Sequence, residues 1–90
     1  MELQEEKLSR AISAYSRRQI LRLLAEKELP VKDIAEKTNM SVSLTSRHLK
    51  LLYDLGFLHV RKQYPHKFYS LKIKGITSLL EIYDKVLKKI

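Results

Sequence analysis

Ser41-Val42-Ser43-Leu44-Thr45-Ser46-Arg47-His48-Leu49-Lys50-Leu51-Leu52 is the stretch that decides how the chain is read. Ser41 is placed to cap a helix over about residues 42–55, and Gly56 follows as a natural left-handed C-terminal position. Thr45, Leu49 and Leu52 then share one face at i, i+4, i+7, with Leu55 extending it, and form the candidate core stripe. The opposite face shows Ser43, Ser46, Arg47 and Lys50. Small hydroxyls let such a face sink into the major groove of DNA. Arg47 can reach guanine O6 and N7 as a bidentate donor, Ser43 or Ser46 can bond base edges or phosphate, and Val42 can meet a thymine methyl. Lys50, further from the N-terminal tip, suits a phosphate. With Ser41 these residues are the candidate DNA-binding set on this helix. The plainer alternative is a solvated helix face, but that is usually filled by Glu and Lys.

Outward from this helix, Val31 to Asn39 read as a short helix with Ile34 and Ala35 inward, and Asn39-Met40-Ser41 as the turn between the two. Pro30 sits where the chain turns. Residues 17–28 read as a helix started by a Ser16–Gln19 capping box, with Ile20, Leu21, Leu23 and Leu24 on one face. Residues 2–15 read as a first helix carrying Leu3, Leu8, Ile12 and Tyr15. Downstream the period changes. Residues 57–62 and 67–73 alternate as strands, with Leu58, Val60, Tyr69, Leu71 and Ile73 inward, around a turn of Gln63-Tyr64-Pro65-His66. That hairpin presents Arg61, Lys62, His66 and Lys67 to phosphates or the minor groove. Lysines there also discourage strand-to-strand aggregation. Residues 75–90 return to helix. Short helix, turn, longer helix and hairpin in this order make a winged helix-turn-helix, mainly α with a two-stranded wing, as one domain over residues 1–90.

The same residues resemble the arsenic-repressor (ArsR-type) winged-helix family. Residues 41–52 look like its S-x-S-T-V-S-R-H-L-K-x-L recognition helix, with Leu44-Thr45 where Thr-Val is usual. Gly56-Phe57-Leu58-His59-Val60-Arg61 resembles its G-L-V-x-x-R approach to the wing, and Phe68-Tyr69-Ser70-Leu71 its Y-Y-x-L return strand. The resemblance implies a DNA-binding transcriptional regulator, with repression as its mode. It also implies a dimer built by the first and last helices. Metal-sensing members carry E-L-C-V-C-D-L at the start of the short helix. Here Glu28-Leu29-Pro30-Val31-Lys32-Asp33-Ile34 replaces both cysteines, and neither Pro nor Lys can supply the thiolate that zinc or arsenic(III) needs there. The family's other metal site uses Asp and His on the last helix; Glu81 and Asp84 stand there without a histidine. No metal and no cofactor are expected.

On the last helix Ile76, Leu80, Tyr83, Leu87 and Ile90 follow 4-3-4-3 spacing, and Leu79, Ile82 and Val86 widen that seam. So apolar a helix leaves a large exposed patch on a protomer, which a second copy would cover. Leu3, Leu8 and Ile12 on the first helix join Ile76, Leu79, Leu80, Tyr83, Val86, Leu87 and Ile90 as the candidate dimer residues; the alternative is that residues 75–90 only cap the protomer core. A two-fold dimer faces a palindromic operator.

Ninety residues carry a net charge of +8, and residues 31–75 hold nine basic against three acidic side chains, the concentration expected of a nucleic-acid footprint. Cysteine is absent, which excludes disulfides, thiolate sites and thiol redox sensing. The acidic start lacks a signal-peptide pattern and no run approaches a membrane span, so a cytoplasmic protein without membrane contact is expected. No Gly-rich phosphate loop or nucleophile turn is present, and His48, His59 and His66 are scattered, so no enzyme is expected. His48 suits phosphate contact or packing. Tyr15, Tyr53 and Tyr83 read as core or interface, and Tyr64 at the wing tip as the tyrosine that could touch nucleic acid. Two other readings stand beside the regulator: a winged-helix protein-interaction module of the transcription machinery, and a sequence-tolerant DNA organiser. The sequence names no effector, operator or regulated gene.

Overall fold

In the computed structural model, which describes residues 3–90, helices α1 (Gln4–Ile12) and α2 (Tyr15–Leu24) lead into a two-residue strand β1 (Leu29–Pro30). Helices α3 (Val31–Thr38) and α4 (Val42–Asp54), strands β2 (Leu58–Gln63) and β3 (His66–Leu71), and helix α5 (Ile76–Leu87) follow. The expected start of the first helix at residue 2 lies outside the described residues.

The first helix ends three residues before the expected boundary, and the capping box at Ser16 does not form. Ala14, extended at φ −109° and ψ 135°, precedes α2, and Ser16 lies inside its first turn. What holds the break is a pair of arginines. Arg17 donates from Nε and Nη2 to the carbonyl of Arg10 at 3.1 and 2.7 Å, and Arg18 donates from Nη1 to that of Ile12 at 2.7 Å. The last carbonyls of a helix lack intrahelical partners and sit at its negative end, so guanidinium donors are favoured there.

The helix-turn-helix follows its local signals. Asn39 closes α3 in the left-handed conformation at φ 56°, which asparagine tolerates, and Ser41 Oγ accepts from the Leu44 amide at 3.0 Å to cap α4. Gly56 takes φ 93° after α4, a region that costs a side-chain-bearing residue free energy. Thr45, Leu49 and Leu52 are fully buried, as their spacing requires, and Leu55 is half-buried. Leu49, Leu52 and Leu55 pack with Ile20, Leu21, Ile34 and Leu58 in one cluster that reaches from α1 to α5. Burying each such aliphatic side chain stabilises the fold by about 1.5–3 kcal/mol.

The hairpin carries a third strand. β1 pairs antiparallel with β3 through Leu29–Tyr69 and Pro30–Phe68, giving the order β1-β3-β2. Proline is tolerated because β1 lies at the edge. The β2–β3 ladder runs from Leu58–Leu71 to Gln63–His66, so only Tyr64 and Pro65 form the turn rather than the expected four residues. Leu71 is buried and ends β3; Ile73, expected inward, lies beyond the strand and is 44% exposed.

The last helix divides its apolar residues differently from the expected seam. Ile76 and Leu80, assigned to a dimer contact, are 3% and 2% exposed and belong to the protomer core. Tyr83 is half-buried beneath the Arg18 guanidinium, 5.1 Å from its ring centroid. Packing α5 against α2 requires a stripe at 4-3 spacing, and a side chain spent there is unavailable to a partner. Leu79, Ile82 and Val86, at i, i+3, i+7, form the exposed strip beside it, with Leu87 and Ile90 also exposed. On α1, Leu8 and Ile12 pack partly against the core while Leu3 is exposed.

Candidate nucleic-acid interface

Burial of Thr45, Leu49 and Leu52 fixes the rotation of α4, and the geometry of a helix then dictates what faces outward. Val42, Ser43, Ser46, Arg47 and Lys50 are all exposed on that face, and Ser41 stands at its N-terminal tip. Ser41 uses its oxygen as the helix cap and keeps its O–H as a donor. Thr45 turns its hydroxyl back to the Ser41 carbonyl at 2.8 Å, so this buried polar group is satisfied inside the helix. Lys50 Nζ pairs with Asp54 at 2.9 Å, but both side chains are more than half exposed. Such a pair is worth at most about 1 kcal/mol, so the ammonium can be redirected to a phosphate at little cost.

His48 lies behind this face, half-buried, with Nδ1 3.4 Å from Arg17 Nη1. Burial, then the nearby Arg17 and Arg47 charges, push its pKa below the usual histidine value, so it is neutral at physiological pH.

The wing places its cations unequally. Lys62 and Lys67 are directly opposite one another on β2 and β3, both exposed. Like charges at such a position repel, so the pair favours an anion between or beside it. His66 is exposed at the end of the ladder, its ring edge-on to Phe68 at 6.2 Å. Arg61, expected with Lys62 to address phosphates, also makes contacts within the protomer. Its Nη2 and Nε donate to the Glu28 carboxylate at 2.7 and 3.1 Å, its Nη1 donates to Gln63 Oε1 at 2.7 Å, and its guanidinium lies 4.6 Å from the Phe68 ring centroid. The hydrogen bond from Arg61 holds the Glu28 carboxyl below its usual pKa and raises that of Arg61. Arg61 therefore clamps the wing to the segment preceding β1.

Between α4 and the wing runs an open groove of about 1170 Å³. Ser46, Lys50 and Tyr53 line one side, Lys62, His66 and Lys67 the other, and Lys32 stands at the α3 end. Lys32 and Tyr53 were not among the sequence-derived candidates. Tyr53, expected in the core or an interface, is not in the core: it is 51% exposed and continues the Ser46–Lys50 row at i, i+4, i+7. That spacing was the available signal. On α5, Asp84 is held by Arg22 Nη2 at 2.7 Å. Among the described residues no three His, Cys, Asp or Glu side chains gather as metal ligands, and no helix is long and apolar enough to cross a membrane.

Known proteins share this arrangement. Residues 16–60 match the family described as bacterial regulatory protein, arsR family. The transcriptional activator HlyU of Vibrio cholerae serotype O1 is 29% identical over 79 residues, spanning 88% of this chain and 73% of the relative. The solved structure of HlyU from Vibrio cholerae N16961 superposes with a TM-score of 0.81 at 28% identity, over 92% of this chain and 90% of that one. A homodimeric winged helix-turn-helix DNA-binding domain from Mycobacterium bovis, Mb0332, superposes with a TM-score of 0.82 at 27% identity, over 96% of this chain and 80% of that one. The family match spans α2, the helix-turn-helix and the start of the wing's first strand, and the chain belongs to the arsR family of bacterial regulatory proteins.

Proposed function

We propose that the protein is a homodimeric, sequence-specific binder of double-stranded DNA that represses transcription by occupying its operator. The observation that carries this reading is the outer face of α4, where Ser43, Ser46 and Arg47 stand exposed above a fully buried Thr45–Leu49–Leu52 stripe. Arg47 supplies bidentate readout of guanine, the serines adjust to base edges or phosphate, and Val42 meets thymine methyls. Lys50, Lys62, His66 and Lys67 line the groove beside that face and follow the phosphate backbone; Arg61 contributes by anchoring the wing.

The dimer is formed by the exposed strip Leu79–Ile82–Val86 with Leu87 and Ile90, joined by Leu3 and the outer edges of Leu8 and Ile12. Homodimerisation of the Mycobacterium bovis domain supports the same assembly for this chain. Two-fold symmetry would place the recognition helices about 34–36 Å apart on a palindromic site. Occlusion needs only affinity and register, which these residues supply, whereas activation also needs a surface for the transcription machinery. Pro30 and Lys32 stand where metal sensing would require thiolates, so the regulator does not respond to metal through that site. It acts in the cytoplasm as a regulator, not as an enzyme.

The test is fluorescence anisotropy with duplexes selected from upstream regions of the source genome, against random duplex. Affinity for a selected fragment at least about 10³-fold above random DNA is expected. Uniform affinity with a steep salt slope would replace this reading by a sequence-tolerant organiser. Absence of binding at modest salt would replace it by a protein-interaction module.

A further inference from the structure

Arg17, in the first turn of α2, directs one guanidinium at two other helices. Toward α1, Nε and Nη2 hold the Arg10 carbonyl at 3.1 and 2.7 Å, Nε reaches the Ala11 carbonyl at 3.3 Å, and Nη2 donates to Ser13 Oγ at 3.0 Å. Toward α4, Nη1 stands 3.4 Å from His48 Nδ1. A guanidinium has donors only, so the ring nitrogen is the acceptor and the imidazole carries its proton on Nε2. The group is also planar and rigid, so the plane that fits the end of α1 leaves little latitude in where Nη1 points. His48 adjoins Arg47 in sequence and is half-buried. Thr45, Leu49 and Leu52 fix which face of α4 turns inward, and the Arg17–His48 contact adds a directed polar tie to that packing.

We infer that Arg17 is a positioning residue for DNA reading: through His48 it trims the rotation of α4 that the buried stripe establishes and couples it to the end of α1. The inference rests on the DNA-reading function proposed above and adds to it a path between the α1 side of the protomer and the face that holds Ser43, Ser46 and Arg47. The charges facing the His48 ring are Arg17 from α2 and Arg47 from its own helix, and Arg10 of α1 acts in turn on Arg17. A proton on Nδ1 would abolish the acceptor and add a further cation among these. The contact is therefore present at neutral pH and is lost as the pH falls through the titration of His48, which lies below the ordinary value of about 6.5.

The experiment compares Arg17→Lys, His48→Leu and His48→Asn with the wild type. Lysine keeps the charge without the fork, and asparagine places an amide oxygen near the position of Nδ1. For each protein the ratio of affinity for a selected upstream fragment to affinity for random duplex is measured from neutral pH down into the acid range below the ordinary histidine value. Arg17→Lys and His48→Leu are expected to lower the ratio about fivefold or more, the usual lower bound of coupling between sites, with affinity for random duplex unchanged. His48→Asn is expected to keep the wild-type ratio, and to keep it in acid where the wild type loses it. A ratio unchanged in Arg17→Lys, or lost equally in His48→Asn, overturns the inference. Nitrogen-15 spectra of the His48 ring give a DNA-free readout. A lone pair on Nδ1 in the wild type that responds to Arg17→Lys supports the contact, and a proton on Nδ1 at neutral pH refutes it. If no fragment binds selectively, the DNA-reading proposal fails while the ring spectra still decide the contact.

Discussion

Placing an aspartate at Ile82 separates the exposed strip of α5 from the stripe that packs into the protomer. Ile82 is 58% exposed, so the proposed two-fold contact would cover more than half of its surface. Full burial of such a side chain contributes about 1.5–3 kcal/mol, and the remaining half about 1–1.5 kcal/mol. A two-fold contact uses the residue twice, which doubles the loss to about 2–3 kcal/mol. The introduced carboxylate must also be desolvated or exclude the partner helix, adding at least about 1 kcal/mol. Ile82→Asp should therefore raise the dimer dissociation constant at least about 100-fold. Sedimentation equilibrium over a concentration series measures it directly. Far-UV circular dichroism at the highest concentration should show unchanged helix, because Ile76 and Leu80 still hold α5 on the core. An unchanged dimer constant, or a loss of association that appears only together with a loss of helix, would refute the assignment of this strip.

Gly56→Ala should cost about 1 kcal/mol in urea denaturation. An added Cβ meets nothing within 4 Å, so the whole cost comes from holding φ at 93°, and a neutral result would contradict that conformation. Glu28→Gln removes the ionised partner of Arg61. Because the folded-state pKa of Glu28 is depressed, the contribution of the ion pair is present above the ordinary glutamate value and is lost as the pH falls through the folded one. The difference in melting temperature between wild type and Glu28→Gln should thus be present at neutral pH and close only as the pH falls through the depressed Glu28 value; a gap independent of pH across the acid range would show that the ionised pair is not its source. Lys62→Ala and Lys67→Ala should each lower the slope of log affinity against log salt by about one, equally for selected and random duplex. Titrations in a salt series check this, and an unchanged slope would remove that lysine from the phosphate contacts.

The helix-turn-helix was legible because each of its signals is local. Ser41 caps, Gly56 terminates, and Thr45, Leu49 and Leu52 recur at helical spacing, so the outward position of Ser43, Ser46, Arg47 and Lys50 follows from periodicity alone. The hairpin was legible from its change of period, but β1 was not. Two residues cannot display alternation, and Leu29–Pro30 becomes a strand only because β3 offers a free edge. The α1–α2 break depends on Arg17 and Arg18 reaching carbonyls six or seven residues earlier, which no capping pattern at Ser16 announces. On α5 the apolar residues fit two stripes, Ile76–Leu80–Tyr83–Leu87 and Leu79–Ile82–Val86, and spacing cannot say which of them turns inward. Packing against α2 decides it. Arg61 reads as a free wing cation until Glu28, 33 residues earlier, is brought against it.

The central claim is that the outer face of α4 reads bases, and replacing Arg47 by alanine tests it most directly. Fluorescence anisotropy of wild type and Arg47→Ala would be measured on a selected upstream fragment and on random duplex at the same salt concentration. Loss of about 1–3 kcal/mol of discrimination, with affinity for random duplex little changed, is the predicted result. A uniform weakening on both duplexes would contradict it, because Arg47 would then be touching phosphate rather than a base edge.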